Sequence, residues 1–122
     1  MLVSMRYPFT LWLAVLLWFQ DLPTQAQAAR PQAYDFLTMT SFESSSDAVA
    51  KIFFSPAFNG KTEVQLEDLG GMSVSKNLAK LQRNSMVINQ QLSDLSVAGW
   101  ELVQVYPITN SAAIRYLFRK PR

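Results

Sequence analysis

Neither cysteine nor histidine occurs in the 122 residues. The missing cysteine excludes disulfides, Cys-His nucleophile pairs and the lipid-modified cysteine that anchors bacterial lipoproteins. The missing histidine removes the Ser-His-Asp triad, and together the two absences leave no ordinary zinc site. Charge is sparse as well: charged residues make up 16% of the chain and the formal net charge is only +2. That is too little for the basic stripe a nucleic-acid binder presents, so no nucleic-acid partner is expected. Cofactor-binding motifs are also missing. Gly70-Gly71 lacks the Gly-Lys-Ser/Thr ending of a phosphate-binding loop, and the acidic residues lack the spacing of a calcium loop.

What is present begins with an address. Arg6 supplies a basic start, Phe9 to Phe19 an apolar run, and Ala26-Gln27-Ala28 a small-residue cleavage pattern. The run ends at Gln20 and Asp21, well short of the roughly 20 apolar residues a spanning helix needs. Residues 1–28 are therefore read as a signal peptide, 29–33 as an exposed leader and 34–122 as a single domain. The expected location is periplasmic or extracellular, with membrane contact only through the signal peptide. An uncleaved N-terminus tethering the domain to the envelope is the alternative. Removing 28 of the 122 residues leaves 94, one small domain that must be held by packing alone.

The mature chain alternates strand and turn chemistry before turning helical. Tyr34 to Phe42 is rich in aromatic and Thr residues, as strands are, and Ser44-Ser45-Ser46-Asp47 reads as a turn. Val49 to Phe54 follows as a second strand that Pro56 ends, bulges or confines to an edge. Asn59-Gly60 is the strongest turn signal, because both residues tolerate positive φ, and Lys61 to Leu66 is the returning arm. Beyond Gly70-Gly71, Leu78, Leu81, Ser85, Ile88, Leu92 and Leu95 recur in steps of three and four, which predicts a helix over about 75–98. Ser75 or Ser73 is its N-cap, and the sequence leaves open whether the helix is continuous or broken near Asn84-Ser85, where helix propensity is lowest. Gly99 fits the left-handed residue after a helix, with Trp100 next and Leu95 beneath it, so Leu95, Gly99 and Trp100 form a structural helix stop. A last hairpin pairs Glu101 to Tyr106 with Ala113 to Arg119. The fold class is α+β: a mainly antiparallel sheet of four to five strands with one principal helix packed on one face.

These strands carry apolar weight on both sides, whereas one helix of about 10 Å width covers one side at most. Strict alternation places Phe53, Val103, Val105 and Leu117 on the uncovered side as a candidate interaction face. Its expected occupant is a second copy, giving a homodimer, or another envelope protein. Scattered surface apolar residues are the plain alternative. The basic C-terminus, Arg115, Arg119, Lys120 and Arg122, is a candidate contact for anionic groups, or simply keeps an edge strand soluble.

Enzymatic readings rest on little. Ser73-Val74-Ser75-Lys76 spells a Ser-x-x-Lys sequence at a helix start, where Ser caps and Lys solvates. Glu63, Glu67 and Asp68 have no motif around them that would pair two carboxylates for hydrolysis. No catalytic residue, cofactor or metal is assigned, and a Ser/Lys or carboxylate hydrolase is the alternative to a non-catalytic binding role.

From Leu92 to Lys120 the chain resembles a family of small uncharacterised bacterial domains. The shared pattern is Leu92, Leu95, then Gly99-Trp100-Glu101-Leu102-Val103, closing with Tyr116, Phe118, Arg119 and Lys120. Exported members resemble this chain also at Tyr34-Asp35-Phe36-Leu37 and Gly60-Lys61-Thr62-Glu63-Val64. The resemblance implies a compact sheet with one helix and brings no activity with it.

Overall fold

The computed structural model describes residues 31–122. The predicted signal peptide and residues 29 and 30 of the leader lie outside these. Pro31 to Ala33 are exposed without regular structure, and the Ala33 carbonyl accepts a hydrogen bond from the Arg122 amide at 3.1 Å.

Five strands and one helix follow in the order β1 (Tyr34–Phe42), β2 (Lys51–Phe58), β3 (Lys61–Gln65), α1 (Val74–Val97), β4 (Glu101–Pro107) and β5 (Ala113–Pro121). The strands form one antiparallel sheet in the order β3-β2-β1-β5-β4. The architecture is the expected α+β one. β1 lies at the centre, with β5 beside it from Tyr34↔Pro121 to Phe42↔Ala113.

Local chemistry sets the connections. Asn59 and Gly60 have φ of 51° and 74°, the pair of positive values that matches a two-residue hairpin to the twist of its strands. β2 does not end at Pro56. It runs through a cis Ser55–Pro56 peptide to Phe58, and the register against β3 shifts between Phe53 and Phe58. The insertion lets Phe58 rejoin the core beside Phe54, their rings 5.8 Å apart.

The helix is continuous over 24 residues, so no break occurs at Asn84-Ser85. Ser73 is the N-cap and its hydroxyl accepts from the Lys76 amide. At the other end the Gly99 amide donates to the Ser96 carbonyl and the Trp100 amide to the Leu95 carbonyl, both at 3.0 Å. This is the Schellman arrangement, and it requires the φ of +90° that Gly99 adopts.

The inward side of α1 carries Asn84 and Leu95, both buried, with Val87, Ile88 and Leu92 packed against the core. It is displaced from the expected apolar stripe: Leu78 and Ser85 are exposed, while Asn84 is buried at 1%. Asn84 earns burial by acting as a surrogate peptide. Its Oδ1 accepts from the Glu67 amide at 2.8 Å and its Nδ2 donates to the Glu67 carbonyl at 3.0 Å, which pins the segment after β3 to the helix. Arg83, one residue earlier, holds the Glu67 carboxylate from outside.

Leu37, Met39, Ile52, Phe54, Phe58, Leu66, Leu95 and Phe118 fill the core between helix and sheet. Each such side chain contributes about 1.5–3 kcal/mol on burial. Trp100 and Tyr116 close its margin.

Candidate functional site

Cross-strand partners share a face of the sheet, so the register separates its two sides. Met39 aligns with Phe54 and Tyr116, and Tyr116 with Val105; this row belongs to the helix side. The next row belongs to the outer side: Glu63, Phe53, Thr40, Arg115 and Tyr106, running across all five strands. Adjacent outer rows hold Thr38, Leu117 and Gln104, then Phe36, Arg119 and Glu101.

The four residues expected to form one interaction face therefore do not. Phe53 and Leu117 share the outer side, but Val105 lies on the helix side, 49% exposed beside Leu102 at 47%. The cause is a bulge. Leu102 faces Phe118 and Gln104 faces Leu117, so Val103 is an extra residue that reverses the alternation for the rest of β4. Strict period two assigns Val105 to the wrong side for that reason. Leu102, Val105 and Ile114 make a smaller exposed apolar strip on the helix side, at the β4 margin.

The basic C-terminus is dispersed in the same way. Arg119 lies on the outer side, gives Glu101 two hydrogen bonds at 2.9 and 3.4 Å, and stacks 4.6 Å over the Tyr34 ring. Arg122 pairs with Asp35 at 2.7 Å, and the Lys120 ammonium sits 5.8 Å over Trp100. The expected four-residue contact for anionic groups is thus not one patch. Of the four, Arg115 and Lys120 have no carboxylate partner among the described residues, and Arg115 is the one that shares a row with Phe53.

What emerges is an outer face on which parts of the two expected sets meet. Phe36 is 56% exposed, Phe53 39%, and Tyr34, Leu117 and Tyr106 are half-buried. Tyr34 and Phe36 sit 6.5 Å apart by ring centres. Arg115 lies 5.7 Å from the Tyr106 ring centre, and its Nη1 donates to the Tyr106 hydroxyl at 3.4 Å. Glu63 is tied to Lys51 at 3.1 Å, and Arg119 holds the Glu101 carboxyl below the usual carboxylate range. Phe36 and Tyr106 are the members a motif search misses; the signal for Phe36 is an aromatic on the outer side of a strand that is central.

The residues weighed for catalysis are placed otherwise. Ser73 spends its hydroxyl on the helix cap and lies 3.3 Å from Ser75 Oγ, with Lys76 exposed. Glu67 pairs with Arg83, whose hydrogen bond lowers its pKa, and Asp68 faces Lys80 at 3.9 Å. Among the described residues no group of three or more acidic side chains could hold a metal ion, and no helix is long and apolar enough to cross a membrane.

The fold is a helix-on-sheet α+β domain whose second sheet face carries the aromatic and arginine residues described. Comparison with family models, characterised proteins and solved structures finds no match.

Proposed function

We propose that this chain is an exported, non-catalytic binding module that associates through the outer face of its sheet, most simply with a second copy of itself. The observation that carries the reading is that exposed Phe36 and Phe53 and half-buried Leu117 lie together on the side opposite α1, interleaved with Tyr34, Tyr106 and two arginines. Tyr, Phe and Arg are the residues enriched where proteins meet, and a fixed sheet loses little conformational entropy on docking. Both sheet edges are poorly suited to strand addition. β3 is short and carries Lys61 and Glu63, and β4 is bulged at Val103 and ends in Pro107. Contact through the face is what remains. The uses already found for Ser73, Glu63 and Glu67 favour binding over hydrolysis, and the resemblance around Gly99-Trp100 is explained by a helix stop.

Sedimentation of the purified exported protein across micromolar concentrations tests this. A reversible dimer that Phe53→Ser and Phe36→Ser each dissociate, without loss of thermal stability, is the expected result. Crosslinking in the native envelope recovers the partner if the occupant is another protein. A monomer at every concentration, with no crosslinked species, overturns the reading.

A further inference from the structure

Arg115 is set apart from the other described arginines. Arg83, Arg119 and Arg122 each hold a carboxylate, whereas Arg115 makes one long hydrogen bond to a tyrosine hydroxyl. Its Nε is shielded from solvent and has no acceptor among the described residues. A guanidinium carries five donors in a planar fork, and a donor withdrawn from water without a partner is unfavourable, a cost that a bound acceptor relieves. The carboxylates of the outer face are already engaged, Glu63 by Lys51 and Glu101 by Arg119. Arg115 is flanked in register by Thr40 and Tyr106, with Phe53 one strand beyond Thr40.

We infer that Arg115 is the polar anchor of the outer face and takes a carboxylate from a protein segment whose neighbouring apolar side chain rests on Phe53. The inference rests on the proposed use of that face for binding. Two oxygens of one carboxylate match the guanidinium fork, and the Tyr106 hydroxyl adds a donor beside it. One unspent cation suits a monoanion. A phosphate dianion calls for a second cation, and Arg119 is already committed to Glu101.

The probes are 3-phenylpropionate, its neutral amide 3-phenylpropanamide and inorganic phosphate, titrated into the isotopically labelled exported protein while the arginine Nε–Hε and backbone amide resonances are followed. The Arg115 signal is identified by its loss in Arg115→Met. Expected are a saturable shift of that signal and of the Phe53 and Thr40 amides with 3-phenylpropionate, about tenfold weaker binding of the amide, and equal binding of the two by Arg115→Met. Equal perturbation of the face by both compounds with the Nε–Hε signal unmoved overturns the anchor and leaves the apolar docking face standing. A stronger response to phosphate than to the carboxylate overturns the assigned chemistry. No response of the face to any probe in Phe36→Ser, which opens the face if the protein is a dimer, overturns the anchor, and together with a wild-type monomer in sedimentation it removes both readings.

Discussion

Replacing Asn84 tests the argument on which the helix placement rests. Asn84→Ala strips both partners from the peptide groups of half-buried Glu67, leaving an N–H and a carbonyl unsatisfied at about 1–3 kcal/mol each. Against this stands the higher helix propensity of alanine, worth about 0.7 kcal/mol. The net expectation is a loss of about 1–5 kcal/mol, from a total of about 5–15 kcal/mol for a domain of this kind. At about 4–8 °C per kcal/mol the melting temperature falls by about 5–40 °C. Asn84→Asp sharpens the test, because a protonated carboxyl can still donate to the Glu67 carbonyl while an ionised one cannot. Its folded-state pKa is therefore raised above the ordinary value of about 3.9. Below that value both states are protonated and the charge penalty vanishes; it grows as pH rises toward the raised pKa, by up to about 1.4 kcal/mol per unit. Urea denaturation near pH 4 and near pH 7, wild type alongside, reads both effects. The reasoning is refuted if Asn84→Ala stays within about 0.5 kcal/mol of wild type, or if the Asp variant suffers no more at the higher pH.

Further expectations follow from other elements. Gly99→Ala, with φ of +90° and only the flexible Lys120 Cε at 3.4 Å from the new Cβ, costs about 1–2 kcal/mol of conformational strain in denaturant titrations, and Gly99→Asn costs less. Glu67 and Glu101 have folded pKa values lowered chiefly by hydrogen bonds from Arg83 and Arg119, so their pairs stabilise the fold above the ordinary glutamate range and lose that effect as pH falls through the lowered values. Glu67→Gln and Glu101→Gln should each flatten the acid side of a melting-temperature profile. N-terminal sequencing of the exported product should begin at Ala29, and a product retaining Met1 would favour the tethered alternative.

Local signals carried far in this chain. Asn59-Gly60 and Gly99-Trp100 are legible because each motif satisfies its own backbone, and Tyr34 to Phe42 because its composition suits a strand wherever it is placed. Long-range compensation was not legible. Asn84 looks like a weak point in a helix until Glu67, 17 residues earlier, is seen presenting a peptide to it. Val105 changes sides because of one inserted residue, which no propensity marks. Of the site, Phe53, Leu117, Arg115 and Arg119 were found from sequence as members of two separate sets, and only the register shows that they share a face. That Arg115 is unspent depends on where Glu63 and Glu101 find their cations.

The placement of β1 has a consequence for how the molecule is made. Its first residues are matched by the last of the chain, as Asp35 and Arg122 show across 87 residues of separation. Until β5 is available, one whole edge of the middle ribbon stays unpaired, and Leu37 and Met39 lack Phe118 and Tyr116 beside them. Synthesised amino end first, the polypeptide cannot close this sheet until β5 has emerged, so late closure is written into its topology.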